Sequence, residues 1–423
     1  MLNTRSIKYT LTIACAMLLF ASQQAAAQDN CAIERKIKVK GFTNEVVYKR
    51  LSRIYEDIGE EKYAESYPQL VQLLERTKSP YEKAVIEQAS AQVAWSLERY
   101  DSALRHFETA VSLNSLPNQT HFSLMYQIAQ LYTMQERYAE ALKFLDIWIC
   151  KVDQTKITSA VYVLYASIYS HQANWRDGIV AIDKAIELDE NPKESWFQMK
   201  LGSHFELEQF PKAALTLERM IELWPEKRTY WVQLSQIYTK LKQDKRALAV
   251  MALAYQNKLL DREGDIKHLA NLYQYLEIPY KAADVMQTGL ENGMVEESRK
   301  NWEMVGDAWM SSEELRKALV AYEKAGQNAD DGKIDLRRGY LLTDLEDYEK
   351  GAAALAMAIR KGGLPDKDIG QAYLLKGMCE FGMGNNKNAR EDFGNATRYQ
   401  RSRNAAQQWI AHMNEERARR SGP

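Results

Sequence analysis

A pattern of large, small and aromatic residues returns about every 34 to 38 residues along most of this chain, and no other feature limits the fold so tightly. One copy reads Trp231, Leu234, Ser235 and Tyr238, followed by Ala247, Leu248, Met251 and Ala254. Another reads Trp302, Val305, Gly306 and Trp309, then Ala318, Leu319, Tyr322 and Ala325. Within each half of a copy the steps are three and four residues, which puts these side chains on one face of a helix. Each copy therefore predicts two helices, A and B, with a short turn between them. Small residues let the pair approach closely, and large ones fill the gap to the next copy. A pair of this kind cannot bury its apolar face alone, so the copies must stack.

Copies begin near residues 84, 122, 159, 194, 228, 263, 299, 332 and 370. The second departs from the pattern, with Trp148 where a small residue is expected. Pro211 and Pro279 stand at predicted starts of B helices, where proline is tolerated. Trp224-Pro225 is a fitting stop for a B helix. Before the array, residues 47–83 (Leu51, Tyr55, Tyr63, Tyr67, Leu70) read as a degenerate pair with extra turn residues. After it, Ala405, Ala406, Trp409, Ile410 and Met413 predict a capping helix within 401–423 that turns basic at Arg417, Arg419 and Arg420. Nine prolines and twenty glycines in 423 residues suit long helices with short turns. The longer connections, Asn328–Gly332 and Lys361–Pro365, are where the stack is expected to change pitch. No composition shift marks a strong domain boundary.

The pattern over residues 84–400 resembles the tetratricopeptide repeat in about nine copies. The resemblance implies an all-α, right-handed superhelical solenoid whose A helices line a concave protein-binding face.

Residues 1–27 predict a secretory signal peptide. Arg5 and Lys8 give a basic start, Tyr9 to Ala21 is apolar, and Ala25-Ala26-Ala27 offers a cleavage site before Gln28. The apolar run is short for a membrane anchor. Cys15 lies inside that run, not at its end, which argues against lipidation. The expectation is an exported, periplasmic chain with an N-terminal arm at 28–46 and no membrane-spanning segment after cleavage. Charged residues make up 27% of the chain at a formal net charge of −1, so no global field favours nucleic acid. Cys31, Cys150 and Cys379 remain after cleavage. Cys379 reads as a buried small hydrophobe. Cys31 with Cys150 is the pairing to consider, against three separate thiols.

The histidines, His106, His121, His171, His204, His268 and His412, are scattered without metal-ligand spacing. No nucleophile elbow or phosphate-cradling glycine loop is present. The expectation is a binding protein with no catalytic, metal or cofactor site. Inward positions of the array give Gln88, Gln92 and Trp95; Tyr126, Gln130 and Met134; Ser167 and His171; Gln198 and Phe205; Gln236 and Thr239. An amide-rich, aromatic surface of this kind suits an extended or helical peptide. The bland alternative is a groove that stays wet. Farther on, Lys267, Asn271, Lys333 and Arg337 resemble four of the five residues with which some tetratricopeptide domains clamp a chain-terminal carboxylate, and Met304 stands where the family has a second Asn.

A narrower resemblance rests on residues 272–283, LYQYLEIPYKAA, with Gly289-Leu290, Gly293 and Gln407-Gln408-Trp409-Ile410. These are similar to exported tetratricopeptide proteins that accompany ExbB–ExbD–TonB clusters in marine gammaproteobacteria. That likeness implies an accessory part in energised uptake across the outer membrane, typically of iron carriers, with TonB, ExbB, ExbD or an outer-membrane transporter as partner. A scaffold for envelope assembly, secretion or peptidoglycan enzymes is the alternative.

Overall fold

The computed structural model describes residues 35, 37, 41–327 and 329–420. The predicted signal segment 1–27, most of the arm and Cys31 lie outside the described residues. The described chain holds twenty-one α-helices, one 3-10 turn (Gln154–Lys156) and no strand. The residues group into two compact units, one running to Gln209 and one from Phe210.

In the first unit the helices are α1 (Glu45–Gly59), α2 (Tyr63–Arg76), α3 (Pro80–Ser96), α4 (Tyr100–Ser112), α5 (Asn118–Met134), α6 (Tyr138–Lys151), α7 (Ser159–His171), α8 (Trp175–Glu187) and α9 (Glu194–Glu206). The second unit continues with α10 (Phe210–Leu223), α11 (Arg228–Lys240), α12 (Asp244–Gln256), α13 (Glu263–Tyr275), α14 (Pro279–Glu291), α15 (Arg299–Ser311) and α16 (Leu315–Gly326). It ends with α17 (Lys333–Asp344), α18 (Tyr348–Lys361), α19 (Asp366–Gly382), α20 (Asn386–Ala396) and α21 (Arg403–Arg420). Within each unit consecutive helices pack on one another, which is the repeat solenoid expected from the periodicity. Predicted and observed starts of the A helices agree to within a few residues.

The repeat is set at its turns. Glu61, Glu98, Glu136, Ala173, Glu208, Lys242, Glu277, Glu313 and Glu346 all have φ between +52° and +63°. Each ends an A helix, and the following amide bonds back into the last turn, as Arg99 does to the Ala94 carbonyl at 2.8 Å and Arg137 to Tyr132 at 2.8 Å. This is the Schellman closure, which a glycine enters without strain. Only Gly384 uses one at the equivalent place among these turns. The first pair is not degenerate in this respect: Glu60-Glu61-Lys62 is the same turn, not an enlarged one.

The small-and-large pattern is used as predicted. Gly306 on α15 faces the ring of Tyr322 on α16, and a Cβ there would come within 2.6 Å of that ring. Tyr322, Phe107 and Phe393 are among the largest fully buried side chains. A second device joins successive copies. The Tyr165 hydroxyl on α7 donates to the Asp146 carboxylate on α6 at 2.8 Å, and Trp309 Nε1 on α15 donates to the Gln287 amide oxygen on α14 at 2.8 Å. Tyr132 reaches Glu108, and Tyr238 reaches Glu218, in the same way. Burial first, then the carboxylate, pushes the Tyr132 and Tyr238 hydroxyls up to about 12.

One expectation needs correction. The division between the units falls inside the fourth copy, where the sequence marks no boundary. The turn at 207–209 is built like every other A–B turn, with Glu208 left-handed, so composition has nothing to signal. The two long connections of the last copies are also tied together: Gly332 donates to the Gly362 carbonyl at 2.9 Å. A Cβ on Gly332 would meet the Ala358 carbonyl oxygen at 2.1 Å, so the site admits only glycine. At the end, α21 lays Trp409 on Phe393 with ring centroids 5.6 Å apart and buries Ala406 and Met413. That is the capping contact its sequence predicts.

Candidate functional site

The amide and aromatic positions predicted to face inward divide into those that build the repeat and those left at the surface. Trp95 stands edge-on to Tyr100, centroids 6.1 Å apart, and packs on the core. His171 stacks on Tyr138 at 5.2 Å, joining α7 to α6. Thr239 returns its hydroxyl to the Ser235 carbonyl at 3.0 Å. Trp95 spends its ring inside the molecule, while His171 and Thr239 make these contacts from exposed positions. Gln88, Gln130 and Ser167 are half-buried, while Gln92, Gln198 and Gln236 are exposed. Met134 and Phe205 are exposed apolar side chains, at 56% and 38%.

Tyr126 is the predicted residue around which a site forms. A cavity of about 450 Å³ lies between α5, α6 and the connection that follows, lined by Phe122, Ser123, Tyr126, Trp148, Lys151 and Lys156 among others. Tyr126 and Trp148 meet with centroids 5.2 Å apart at 37°. Trp148, the large ring at a position where the repeat expects a small one, supplies a wall of this space, although the sequence pattern assigns it no site. Phe122 and Lys156 were missed, because a position off the repeat register and a loop lysine carry no pattern. Asp153, also on the rim, is occupied as a cap, accepting from the Thr155 amide at 3.0 Å and its hydroxyl at 2.9 Å. Asn118 borders the cavity and holds Arg35 of the N-terminal arm, whose guanidinium also reaches the Leu116 carbonyl at 2.7 Å. Beneath this contact His121 is buried with its Nδ1 unpaired. Burial first, then the Arg35 charge, lowers its pKa to about 4. Cys150, at the end of α6, is disulfide-bonded, and Cys379 is a free, buried thiol.

In the second unit Lys267, Asn271 and Met304 do line one cavity, of about 500 Å³, together with Lys300, Glu303 and Asp307. The cations of the predicted clamp already have carboxylates. Lys267 pairs with Glu263, Arg337 with Asp307, and Lys333 approaches Asp331 at 3.7 Å. An incoming carboxylate must compete with these partners, which lowers the charge the site can offer. Histidines elsewhere serve structure: His106 bridges Glu87 at 2.5 Å and Tyr67 at 3.0 Å, and His268 meets Ser235 at 3.2 Å. Among the described residues no three His, Cys, Asp or Glu side chains converge to hold a metal ion. No described helix is long and apolar enough to cross a membrane.

Residues 89–154 match the tetratricopeptide repeat family model. No curated protein sequence matches the chain. Among solved structures it is similar to a tetratricopeptide repeat protein of Parabacteroides merdae, at 10% identity over 71% of this chain and all of that one, with a TM-score of 0.36. It is similar to YrrB, described as a tetratricopeptide protein with an unusual peptide-binding site, at 19% identity over 47% of this chain and all of that one, TM-score 0.37. The TPR2AB domain of yeast Sti1, solved as a complex with pHSP90, is 15% identical over 61% of this chain and 96% of that one, TM-score 0.31. Residues 89–154 carry the tetratricopeptide repeat, and repeats of this type make scaffolds for protein–protein interaction.

Proposed function

We propose that this chain is an exported scaffold that holds a peptide segment of a partner protein, anchored by an apolar or aromatic side chain in the cavity of Phe122, Tyr126 and Trp148. The observation that carries the reading is that cavity. It is a concave space of about 450 Å³ with three aromatic walls and lysines on its rim. Exposed Gln92 and half-buried Gln88 and Gln130 offer amides for the peptide backbone.

The location and partner are part of the same proposal. Residues 1–27 have the pattern of a signal peptide, which supports a periplasmic chain. The likeness at 272–293 and 407–410 supports an accessory part in a TonB-type uptake system, with TonB, ExbB, ExbD or an outer-membrane transporter supplying the segment. Envelope assembly, secretion or peptidoglycan synthesis is the competing setting. A disulfide at Cys150 suits an oxidising compartment, and Cys31 is the partner we assign to it.

Affinity capture from periplasm under iron limitation tests the reading. It should return components of the TonB system, and a Phe122→Ala, Tyr126→Ala double variant should lose at least about tenfold in capture with its helical content unchanged. Equal capture by the variant removes the cavity from the interface. Recovery of envelope-assembly proteins instead of TonB components transfers the function to the alternative setting.

A further inference from the structure

A second aromatic cavity, at the end of the second unit, has the chemistry of a cation site. Its volume is about 550 Å³, and its walls include Tyr340, Tyr348, Phe381 and Trp409, with Asp344 and Glu346 at its edge. No lining side chain is cationic. Neither carboxylate forms an ion pair within the described residues, in contrast to the paired charges around Lys267 and Arg337.

Three independent features give this space a negative character. The two carboxylates are the first. The second is that α17 ends at Asp344 and α19 ends at Gly382, so the negative ends of two helix dipoles meet the cavity. Neither helix carries a basic residue in its last turn to offset them. The third is the four aromatic rings of the wall, whose quadrupoles attract cations.

Three of the rings are also held. Trp409 is backed by Phe393 at 5.6 Å and 8°, and meets Phe381 at 5.5 Å. Tyr348 lies against Gly382, where a Cβ would come within 2.7 Å of its ring. Tyr340 remains 52% exposed, a large aromatic surface with no cover. A rigid cage needs little reorganisation to receive a ligand.

We propose that this cavity binds an arginine side chain presented by a polypeptide partner. The planar guanidinium stacks on a ring face and donates to a carboxylate in the same pose, which a compact ammonium does less well. The space exceeds one side chain and leaves room for its apolar neighbours against Leu375 and Met378. The site is distinct from the cavity at Tyr126 and does not depend on what occupies that one.

Titration calorimetry of the full chain with a capped Leu-Arg-Leu peptide tests this, read in parallel through the methyl resonance of Met378. Saturable binding is expected, weakening with salt. The isosteric citrulline peptide should bind at least about tenfold more weakly, and so should the arginine peptide to an Asp344→Asn, Glu346→Gln variant. Tyr340→Ala, at an exposed position that does not threaten folding, should weaken binding several-fold. Equal affinity for arginine and citrulline peptides overturns the proposal. So does the absence of binding up to millimolar peptide, or full affinity in the carboxylate variant.

Discussion

The cavity around Tyr126 in the first unit and the one around Tyr340 in the second are built from the same kind of repeat, yet their rims carry opposite charge. The first is walled by Phe122, Tyr126 and Trp148 and edged by Lys151 and Lys156. The second is walled by Tyr340, Tyr348, Phe381 and Trp409 and edged by Asp344 and Glu346. The aromatic walls come partly from positions the repeat uses for packing, so a ring there costs the fold little. The rim charges come from the last residue of α6 and the connection after it, and from the last residue of α17 and the A–B turn after it, where solvent tolerates either sign. Binding chemistry can therefore diverge along the array while the core stays periodic. The lysines and arginine at 267, 333 and 337 show the other outcome, charges neutralised by neighbours before any ligand arrives.

The comparison is tested most severely by the cores. Phe107 on α4 and Phe393 on α20 are both fully buried, and truncating either to alanine should cost about 3 to 5 kcal/mol. In a chain of two compact units that loss should stay local. Amide exchange should quicken in the first unit for Phe107→Ala and in the second for Phe393→Ala. Loss of protection through both units in either variant breaks the division at Gln209.

Acid should separate the units next. An unfolded histidine titrates near 6.5, and buried His121 in the first unit is held at about 4. A depressed folded value means that the unfolded chain takes up the proton first. The stability contributed by the neutral ring is therefore complete above about pH 6.5 and declines as the pH falls toward 4, by an amount on the order of 2 kcal/mol. Chemical denaturation followed between pH 7 and 4 should show this slope in the first unit, and His121→Phe should flatten it. In the second unit burial also lowers the pKa of His268, opposed by Asp265, so a shallower slope is expected there. Parallel slopes in both units, unchanged by the substitution, would assign the acid response to other groups.

The smallest effect should be the same in both. Ala173 and Glu313 end A helices in the left-handed region, which costs an L-residue about 1 kcal/mol. Ala173→Gly and Glu313→Gly should each raise stability by about 0.5 to 1 kcal/mol in equilibrium unfolding. A loss at Glu313 with a gain at Ala173 would show that the acidic side chain at this turn has a role the backbone does not explain.

Much of the fold was legible in the sequence because the repeat states one local rule many times. Trp302, Gly306 and Tyr322 occupy the places their spacing predicts, and chance agreement over so many copies is negligible. The sites were less legible. Of the predicted inward stripe, Tyr126 lines a cavity and Trp95 packs on the core, while exposed His171 stacks on Tyr138 and exposed Thr239 bonds back to its own helix. A position on a helix face does not say which way a rotamer turns once the next copy packs against it. Trp148 departed from the repeat pattern, and only the packed copies show that its ring lines the cavity beside Tyr126. Phe122, Tyr340 and Glu346 left no trace, since off-register and turn positions obey no period.

The sequence alone determined the helices, their pairing into A and B, the interval of the stack and its capping helix, because these follow from local periodicity and the sizes of side chains that must meet. Tertiary structure alone decided where the array divides into units, which aromatic rings close on the core and which line a cavity, and which charges are cancelled. Those outcomes depend on contacts between residues tens of positions apart, such as the Tyr348 ring against Gly382 or Arg337 against Asp307, and no repeat unit contains both partners' surroundings.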